Sequence, residues 1–464
     1  MKPLKLDEIA AAMEARPLGA PGRYLVESVG IDSRQVASGQ LFFAIRGDRF
    51  DGHDFVADAI DRGAMAAVVS RPDLVPPELH ELGLLLLVDD TTAALGRLAA
   101  FHRRQARARV IAVTGSNGKT TTKEMIHQVL SGRRRGRGAP KSFNNAIGVP
   151  LTLLSVAPDD EYVVVEIGSN APGEVGQLGE LASPDIGVIT GVAETHLEQL
   201  GSLEGVATEK ASLIDHVREG GSAVLSAESE LLVRLTRRRR RRAVRQVRFG
   251  RCDGVDLRAT QLASGPGRVS FCLDGGQRVT IPMPGEHNVL NALAAIGVAR
   301  EMGIGLTEAA DRLAEFRPPP MRMEVHRWGQ VTLINDAYNA NPASMAAALA
   351  VLRNWPDAGR RVFVAGDMWE LGTATLTKHQ QLGRQIAEAG IEVLVAVGDL
   401  ADAVTQAARE ASAAIQVEAA SGIEDAADRL GQVIQPGDAI LLKGSRAVGL
   451  EALVDTIRAL AEKC

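Results

Sequence analysis

The chain has 464 residues, enough for about three domains at roughly 150 residues each. With 45% hydrophobic and 23% charged residues its composition is globular, which excludes a wholly disordered chain. A formal charge of −5 argues against a generally basic nucleic-acid-binding surface. Cys252, Cys272 and Cys464 form no C-x-x-C pair, which argues against a disulfide framework and a cysteine zinc site. Asp7, Glu8 and Glu14 interrupt the opening stretch, so it does not read as a signal peptide. The longest apolar run, residues 82–88, is far short of the roughly 20 residues of a membrane span. The expectation is a soluble protein of a reducing cytoplasm, without membrane insertion.

Residues 6–13 read as a helix, 39–45 (GQLFFAI) as a strand, 55–62 as a helix, and 65–69 and 84–88 as strands, with 71–77 (RPDLVPP) as a loop. Together they predict a small α/β unit over residues 1–100. Residues 91–105 carry Leu95, Leu98 and His102 at helical spacing and lead into a second unit. There, 110–114 (VIAVT) reads as a buried strand, followed by a Gly-bearing turn and a helix over about 120–130. Further strands follow at 162–167 and 186–190, an alternation that predicts a mostly parallel sheet with helices on both faces. Residues 251–282 read as short antiparallel segments, and 288–302 as a helix. Pro318, Pro319 and Pro320 stop any helix and mark a linker. Beyond them VTLIND, RVFVAGD, VLVAVGD and AILLKGS are four strand-like runs. The predicted fold class is α/β in three domains: a small N-terminal α/β domain (1–100), a central domain with a mostly parallel sheet of P-loop type (101–318), and a Rossmann-like C-terminal domain (319–464).

The strongest motif is IAVTGSNGKTTTKEM, residues 111–125: strand, Gly-rich turn, Lys-Thr and helix in that order. Turn amides and a helix N-terminus cradle phosphate oxygens. Thr114, Gly115, Ser116, Asn117, Gly118, Lys119, Thr120 and Thr121 are therefore candidates for ATP. Lys119 would neutralise the outer phosphates and Thr120 would reach a magnesium ion. Val113 stands where the longer G-x-x-x-x-G-K-T pattern has its first glycine.

TGSNGKTTT resembles the shortened ATP loop of the Mur ligase family, which also includes folylpolyglutamate synthases. DSRQVASGQLFFAIRG, DGHDF, SFNNAIGVPLTLL, EIGSN, HLEQLGS, HNVLNALAAI, NDAYNANPASM, GDMWELG and KGSRA extend the resemblance over almost the whole chain. NDAYNANPASM and GDMWELG discriminate best within the family, and the DNPR signature of its diaminopimelate- or lysine-adding member is absent. The resemblance implies a ligase that activates a carboxylate with ATP as an acyl phosphate, which an amine then attacks. Its implied substrates are UDP-MurNAc-tripeptide and D-Ala-D-Ala, its product the cell-wall precursor UDP-MurNAc-pentapeptide, and its cofactors ATP and two Mg2+ ions. It further implies a monomer with no nucleic-acid partner.

Residue by residue, the resemblance implies Glu166 and His196 as metal ligands, and Lys210 as the lysine that is carbamylated in relatives and holds metal as an anion. With Lys119 these form the implied catalytic set. Asn291 is implied at the adenine, Arg322 at the nucleotide phosphates, Asp336 at the ribose and Tyr338 beside the base. In the N-terminal unit Ser33, Arg34, Gly52 and His53 are expected at the uridine nucleotide, with Asn144 and Asn145 at the sugar-peptide. Here the chain departs from the family pattern, with Lys141-Ser142 where Lys-Gly is common. Asp367, Glu370, His379, Lys443, Ser445 and Arg446 are candidates for the incoming dipeptide, which needs a cationic clamp for its carboxylate and an acid for its ammonium. The run Arg237 to Arg242 reads as a solvated helix end.

Overall fold

Three large sheets, beside a two-stranded antiparallel pair of Leu4–Lys5 and Leu25–Val26, organise the chain in the computed structural model, which describes residues 1–19, 24–239, 243–273, 276–356 and 358–463. The first has five strands in the order Arg16–Leu18, Leu85–Leu87, Ala66–Val69, Gln40–Phe43, Ser28–Gly30, parallel except for its first pair. Helix Thr91–Gln105 leads out of it, capped by the Asp90 carboxylate, which accepts from Ala93 N. Arg103 near its end is buried and fastens it to the central unit, donating to Asp185 Oδ2 at 2.8 Å and to the carbonyls of Ala182 and Ser183 at 3.1 and 3.0 Å.

The second sheet has nine strands in the order Arg278–Ile281, Arg268–Leu273, Leu257–Gly265, Arg245–Gly250, Ser222–Ser226, Ile186–Ile189, Arg109–Thr114, Tyr162–Glu166, Gly136–Gly138. The first three pair antiparallel with one another, as the short segments of 251–282 predict, and the remaining pairs are parallel. Strand Arg109–Thr114 shows why it sits at the centre. Val110 and Ala112 join a core with Leu95, Leu98 and Ala99 of the preceding helix, whereas Ile111 and Val113 join another with Met125, Ile126, Ala292 and Leu293. Successive side chains point to opposite faces, so a strand apolar at every position needs cover on both. From this strand the chain first builds Tyr162–Glu166 on one side and later Ile186–Ile189 on the other, a topological switch point whose carboxyl edge opens a crevice.

The third sheet runs Glu324–Trp328, Val331–Asn335, Asp438–Lys443, Arg360–Gly366, Val393–Val397, Gln416–Ala420, all parallel except the first pair. It contains the four predicted runs and two more strands. Glu324–Trp328 and Gln416–Ala420 are the two edges, partly exposed and polar, which is why their hydrophobic signal is weak. Within the predicted loop 71–77, Pro72 and Pro77 instead open short helical turns, Pro72–Leu74 and Pro77–Glu81, proline being suited to a first helical position. Arg237 and Arg238 form the last turn of helix Glu230–Arg238, and Arg240, Arg241 and Arg242 lie outside the described residues, as does Cys464.

Candidate active site

The phosphate loop is held by close packing at two glycines. Gly115 (φ +146°) lies so near Thr190 that a Cβ would stand 2.1 Å from its Oγ1, and at Gly118 (φ +78°) a Cβ would stand 2.2 Å from Asn291 Oδ1. Only glycine fits a left-handed turn this tight. Helix Lys119–Leu130 starts directly after it. Lys119 folds back over the turn, its Nζ donating to Gly115 O at 2.8 Å, and burial pushes its pKa down from the usual lysine range. Thr114 lies beneath the loop, its hydroxyl donating to Ile167 O at 2.8 Å.

Above the loop opens a cleft of about 770 Å³, walled by the second and third sheets and their connecting segments. Ser116 to Thr121, Asn144, Asn145, Glu166, His196, Asn291, Arg322, Asp336, Tyr338, Glu370, Lys443, Ser445 and Arg446 all line it. A chain of hydrogen bonds crosses its floor. Arg322 Nη2 donates to Thr120 Oγ1 at 2.9 Å, Thr120 Oγ1 donates to Glu166 Oε2 at 2.9 Å, and Asn144 Nδ2 donates to Glu166 Oε1 at 2.9 Å. Asn145 Oδ1 instead accepts from Ile147 N and Gly148 N, shaping the turn into helix Gly148–Leu154. Asn291 accepts from Thr122 Oγ1 and donates to Asn288 Oδ1, so its amide is fixed in orientation.

From the third sheet, Lys443 Nζ pairs with Asp336 Oδ2 at 2.5 Å and donates to Asn339 O at 3.0 Å. Tyr338 stacks beneath Arg322, whose guanidinium carbon is 4.1 Å from the ring centre. Glu370 (φ +64°) brings its Oε2 to 2.6 Å from Nδ1 of His196 (φ +52°), and the imidazole holds the Glu370 carboxyl below the usual range. Ser445 Oγ accepts from Trp369 N. Arg446 is half exposed beside Glu451 at 2.8 Å.

Lys210 closes helix Leu203–Ala211 and is buried, its Nζ donating to the cleft-lining Ser169 Oγ at 2.6 Å. Burial, with Lys119 as a second cause, pushes its pKa down to about 7. Its neighbour Glu209 accepts from Gly173 N at 2.8 Å and Val175 N at 2.7 Å, anchoring the start of helix Glu174–Ala182.

Other candidates are placed differently. The Asp367 carboxylate accepts from Asp399 N and Leu400 N at 2.8 and 3.2 Å, fixing the turn at Gly398 instead of facing the cleft. His379 is buried, with Nε2 accepting from Met368 N at 3.0 Å and Nδ1 2.7 Å from Thr375 O. Neither residue lines the cleft, and each is tied to backbone groups of its own domain. In the first domain His53 is likewise spent, with Nδ1 2.6 Å from Asp51 Oδ1 and Nε2 accepting from Ser70 N at 2.9 Å. At Gly52 a Cβ would stand 2.6 Å from Ile45 N, so this glycine permits close packing of the loop. Ser33 is buried and Arg34 is exposed, forked onto Asp32. None of these four reaches the cleft, whose lining begins at Ser116.

Family models match three stretches, described as the Mur ligase family catalytic domain (residues 25–103), the Mur ligase middle domain (113–299) and the Mur ligase glutamate ligase domain (321–446). A UDP-N-acetylmuramoyl-tripeptide--D-alanyl-D-alanine ligase of Bacillus subtilis is 35% identical over 93% of each chain. The chain belongs to the Mur ligase family. The enzyme of the same name from Escherichia coli is 36% identical over 94% of each chain. A crystal structure of the Mur ligase MurF from Acinetobacter baumannii superposes with a TM-score of 0.88 at 31% identity, covering 100% of this chain and 99% of that one. MurF ligase from Thermotoga maritima in complex with ADP gives 0.81 at 27% identity, over 94% and 98%. The three-domain Mur ligase fold is thus shared throughout.

Sequence reasoning passed over Asn341, Ser169 and Trp369. Trp369 carries a legible signal, an exposed tryptophan inside GDMWELG (58% exposed). Asn341 and Ser169 stand within the motifs NDAYNANPASM and EIGSN, but the partners that give them a role lie 224 and 41 positions away in sequence.

Proposed function

We propose that the cleft is the active site of an ATP-dependent amide ligase that joins D-alanyl-D-alanine to UDP-MurNAc-tripeptide, giving ADP, phosphate and UDP-MurNAc-pentapeptide. The observation that carries this reading is the Arg322–Thr120–Glu166–Asn144 chain. It ties a guanidinium of the third domain, the phosphate loop and the candidate substrate loop into one floor.

The physical problem is to bring a carboxylate and a triphosphate together. The turn amides and Lys119 neutralise the outer phosphates, and the Arg322 fork faces the transferring group. A tripeptide carboxylate oxygen attacks the γ-phosphorus, the bond to ADP breaks, and an acyl phosphate results. The dipeptide amine then attacks the acyl carbon, phosphate leaves with its electron pair, and the nitrogen gives up a proton to the departing phosphate or to water. Asn144 orients Glu166 and stands where the acyl group must approach. Asn291, Tyr338 and Asp336 form the base and ribose side. Arg446, half exposed at the cleft rim beside Glu451, is the clamp for the dipeptide carboxylate, and Lys443 holds Asp336 in place on the ribose side. The first domain, with Arg34 at its surface, takes the uridine end.

The donor set fits magnesium. Thr120 and Glu166 present hard oxygens 2.9 Å apart, and phosphates and water complete such a shell. The ion supplies charge neutralisation at the transferring phosphoryl group. His196, with a ring nitrogen and a carboxylate beside it, suits a second ion. Lys210 as an ammonium does not. A buried amine with a pKa near 7 is largely uncharged above neutrality and open to carbamylation, which converts it to an anion. Among the described residues no helix is long and apolar enough to cross a membrane. We place the enzyme in the cytoplasm as a monomer.

The test is phosphate release from ATP and magnesium with UDP-MurNAc-tripeptide, with and without D-Ala-D-Ala, and with Lys119→Ala as control. Release that requires both substrates and disappears in the variant supports the reading. Release with a folate and glutamate instead, or ATP binding without turnover, overturns it.

A further inference from the structure

One contact between the second and third domains plays no part in the chemistry above. Asn117 lies in the phosphate loop. Asn341 lies 224 positions later, immediately before helix Pro342–Arg353. Their side chains exchange two amide hydrogen bonds: Asn341 Nδ2 donates to Asn117 Oδ1 at 2.6 Å, and Asn117 Nδ2 donates to Asn341 Oδ1 at 3.3 Å. Asn341 is at the same time the cap of its helix, with Oδ1 accepting from Ser344 N at 3.0 Å and its own N–H donating to Ser344 Oγ at 3.0 Å. It is buried (8% exposed).

Capping alone does not demand asparagine. Serine, threonine and aspartate are favoured caps as well. A hydroxyl also donates and accepts, but through one atom, whereas the amide carries its acceptor and its donors on separate atoms and so holds the helix through Oδ1 while Nδ2 reaches a second partner. The choice of side chain thus answers to the loop opposite as well as to the helix. The other contacts across the same cleft are of a different kind. Lys378 Nζ and Glu194 Oε2 are 2.6 Å apart, yet the glutamate side chain is 43% exposed, and such pairs are weak and screened by salt. The His196–Glu370 contact has a carboxylate 49% exposed. The amide pair is neutral and partly buried, so salt does not weaken it.

We propose that Asn341 is a positioning residue that latches the third domain onto the phosphate loop through Asn117, holding Arg322, Asp336 and Tyr338 over the nucleotide. Because the latch engages the loop that receives the phosphates, the amide pair couples nucleotide binding to closure of the third domain, beside the Arg322–Thr120 bond to the same loop. The inference rests on the proposed function only in taking the cleft for a nucleotide site. It requires no particular peptide substrate.

The experiment uses the full chain with Mg-ADP as probe. Asn341→Ser keeps a capping oxygen and cannot reach Asn117, Asn117→Ala leaves the cap untouched, and the double variant completes the cycle. ADP affinity is measured by calorimetry at low and high salt, and closure by the change in radius of gyration on adding Mg-ADP. Thermal unfolding controls for the cap. Two lost hydrogen bonds predict ADP binding weakened about tenfold in Asn341→Ser, with less compaction and an unchanged melting temperature. The double variant should be no weaker than the worse single one, and the deficit should persist at high salt. The KM for the dipeptide should rise with little change in kcat. Wild-type ADP affinity and compaction in Asn341→Ser, or effects of the two substitutions that simply multiply, overturn the proposal. If Asn341→Ser does not fold, Asn117→Ala decides alone by the closure measurement. Failure of the phosphate-release assay with the muramoyl substrate would sink the functional reading and leave these binding and scattering results interpretable.

Discussion

Arg322 Nη2 stands 2.9 Å from Thr120 Oγ1, so the third domain touches the hydroxyl that follows the phosphate-loop lysine. The backbone around it is arranged for this reach. Met321 and Met323 on either side both have left-handed φ, +58° and +53°, a conformation that costs a non-glycine residue about 1–2 kcal/mol. Hydrogen bonds offset the cost: Met321 N donates to Glu324 Oε2 at 3.1 Å and Met323 N to Asp336 Oδ1 at 3.2 Å. Lysine at this position keeps the charge and loses the planar fork and the stacking on Tyr338. Arg322→Lys should therefore lower turnover about tenfold or more while leaving the fold intact, read by steady-state kinetics beside a melting curve. Wild-type turnover in this variant would remove Arg322 from the site.

Lys210 sets function against stability. Its folded pKa, about 7, lies below the unfolded value near 10.5. Between these values the unfolded chain binds the extra proton, so stability rises with pH from about 7 to 10.5, and below 7 the burial penalty is fully present. Lys210→Met should abolish phosphate release and raise the melting temperature, with the gain greatest near pH 6 and shrinking toward pH 10. The wild type should lose activity in carbon-dioxide-free buffer and recover it with bicarbonate. A destabilised Lys210→Met protein would contradict this account.

The dipeptide candidates separate by what their side chains already do. His379 and Asp367 are occupied by backbone groups, so His379→Ala should cost about 1–3 kcal/mol of stability in urea unfolding, and the folded enzyme should keep its KM for the dipeptide. Arg446→Ala should do the reverse, raising that KM about tenfold or more at constant stability. Exchange of these two patterns would move the dipeptide site toward His379.

Acid should weaken the fold before its carboxylates titrate. Burial lowers the pKa of both His102, which bonds to Val156 O at 3.1 Å, and His127, whose Nδ1 is 2.9 Å from the Tyr162 hydroxyl. A histidine with a depressed folded pKa binds its proton more readily when unfolded. The stability it contributes is present above about pH 6.5 and is lost as pH falls below that value. The urea midpoint should therefore drop between pH 7.5 and 5.5, and His102→Gln, whose amide still reaches a carbonyl, should flatten the drop. An identical pH dependence in the variant would show that His102 contributes nothing to it.

The sequence by itself determined the local pieces. The phosphate loop is readable because strand, glycine turn, lysine and helix are contiguous, and a helix such as Thr91–Gln105 is readable because its apolar period and its cap are written in adjacent residues. The motifs also carried the family, and with it Glu166, Arg322 and Asp336 in the cleft. Tertiary structure alone decided which polar groups remain available for chemistry. Asp367, His379 and His53 stand in motifs as promising as Glu166 does, yet backbone amides from distant turns consume them. The resemblance singles out Lys210, but its burial against Ser169 belongs to the fold, and so does the contact of Asn341 with Asn117. A side chain's type is local, but its hydration and its partners depend on other segments, 11 positions away for His379 and 224 for Asn341, and these set whether it is free to bind a ligand or holds the wall.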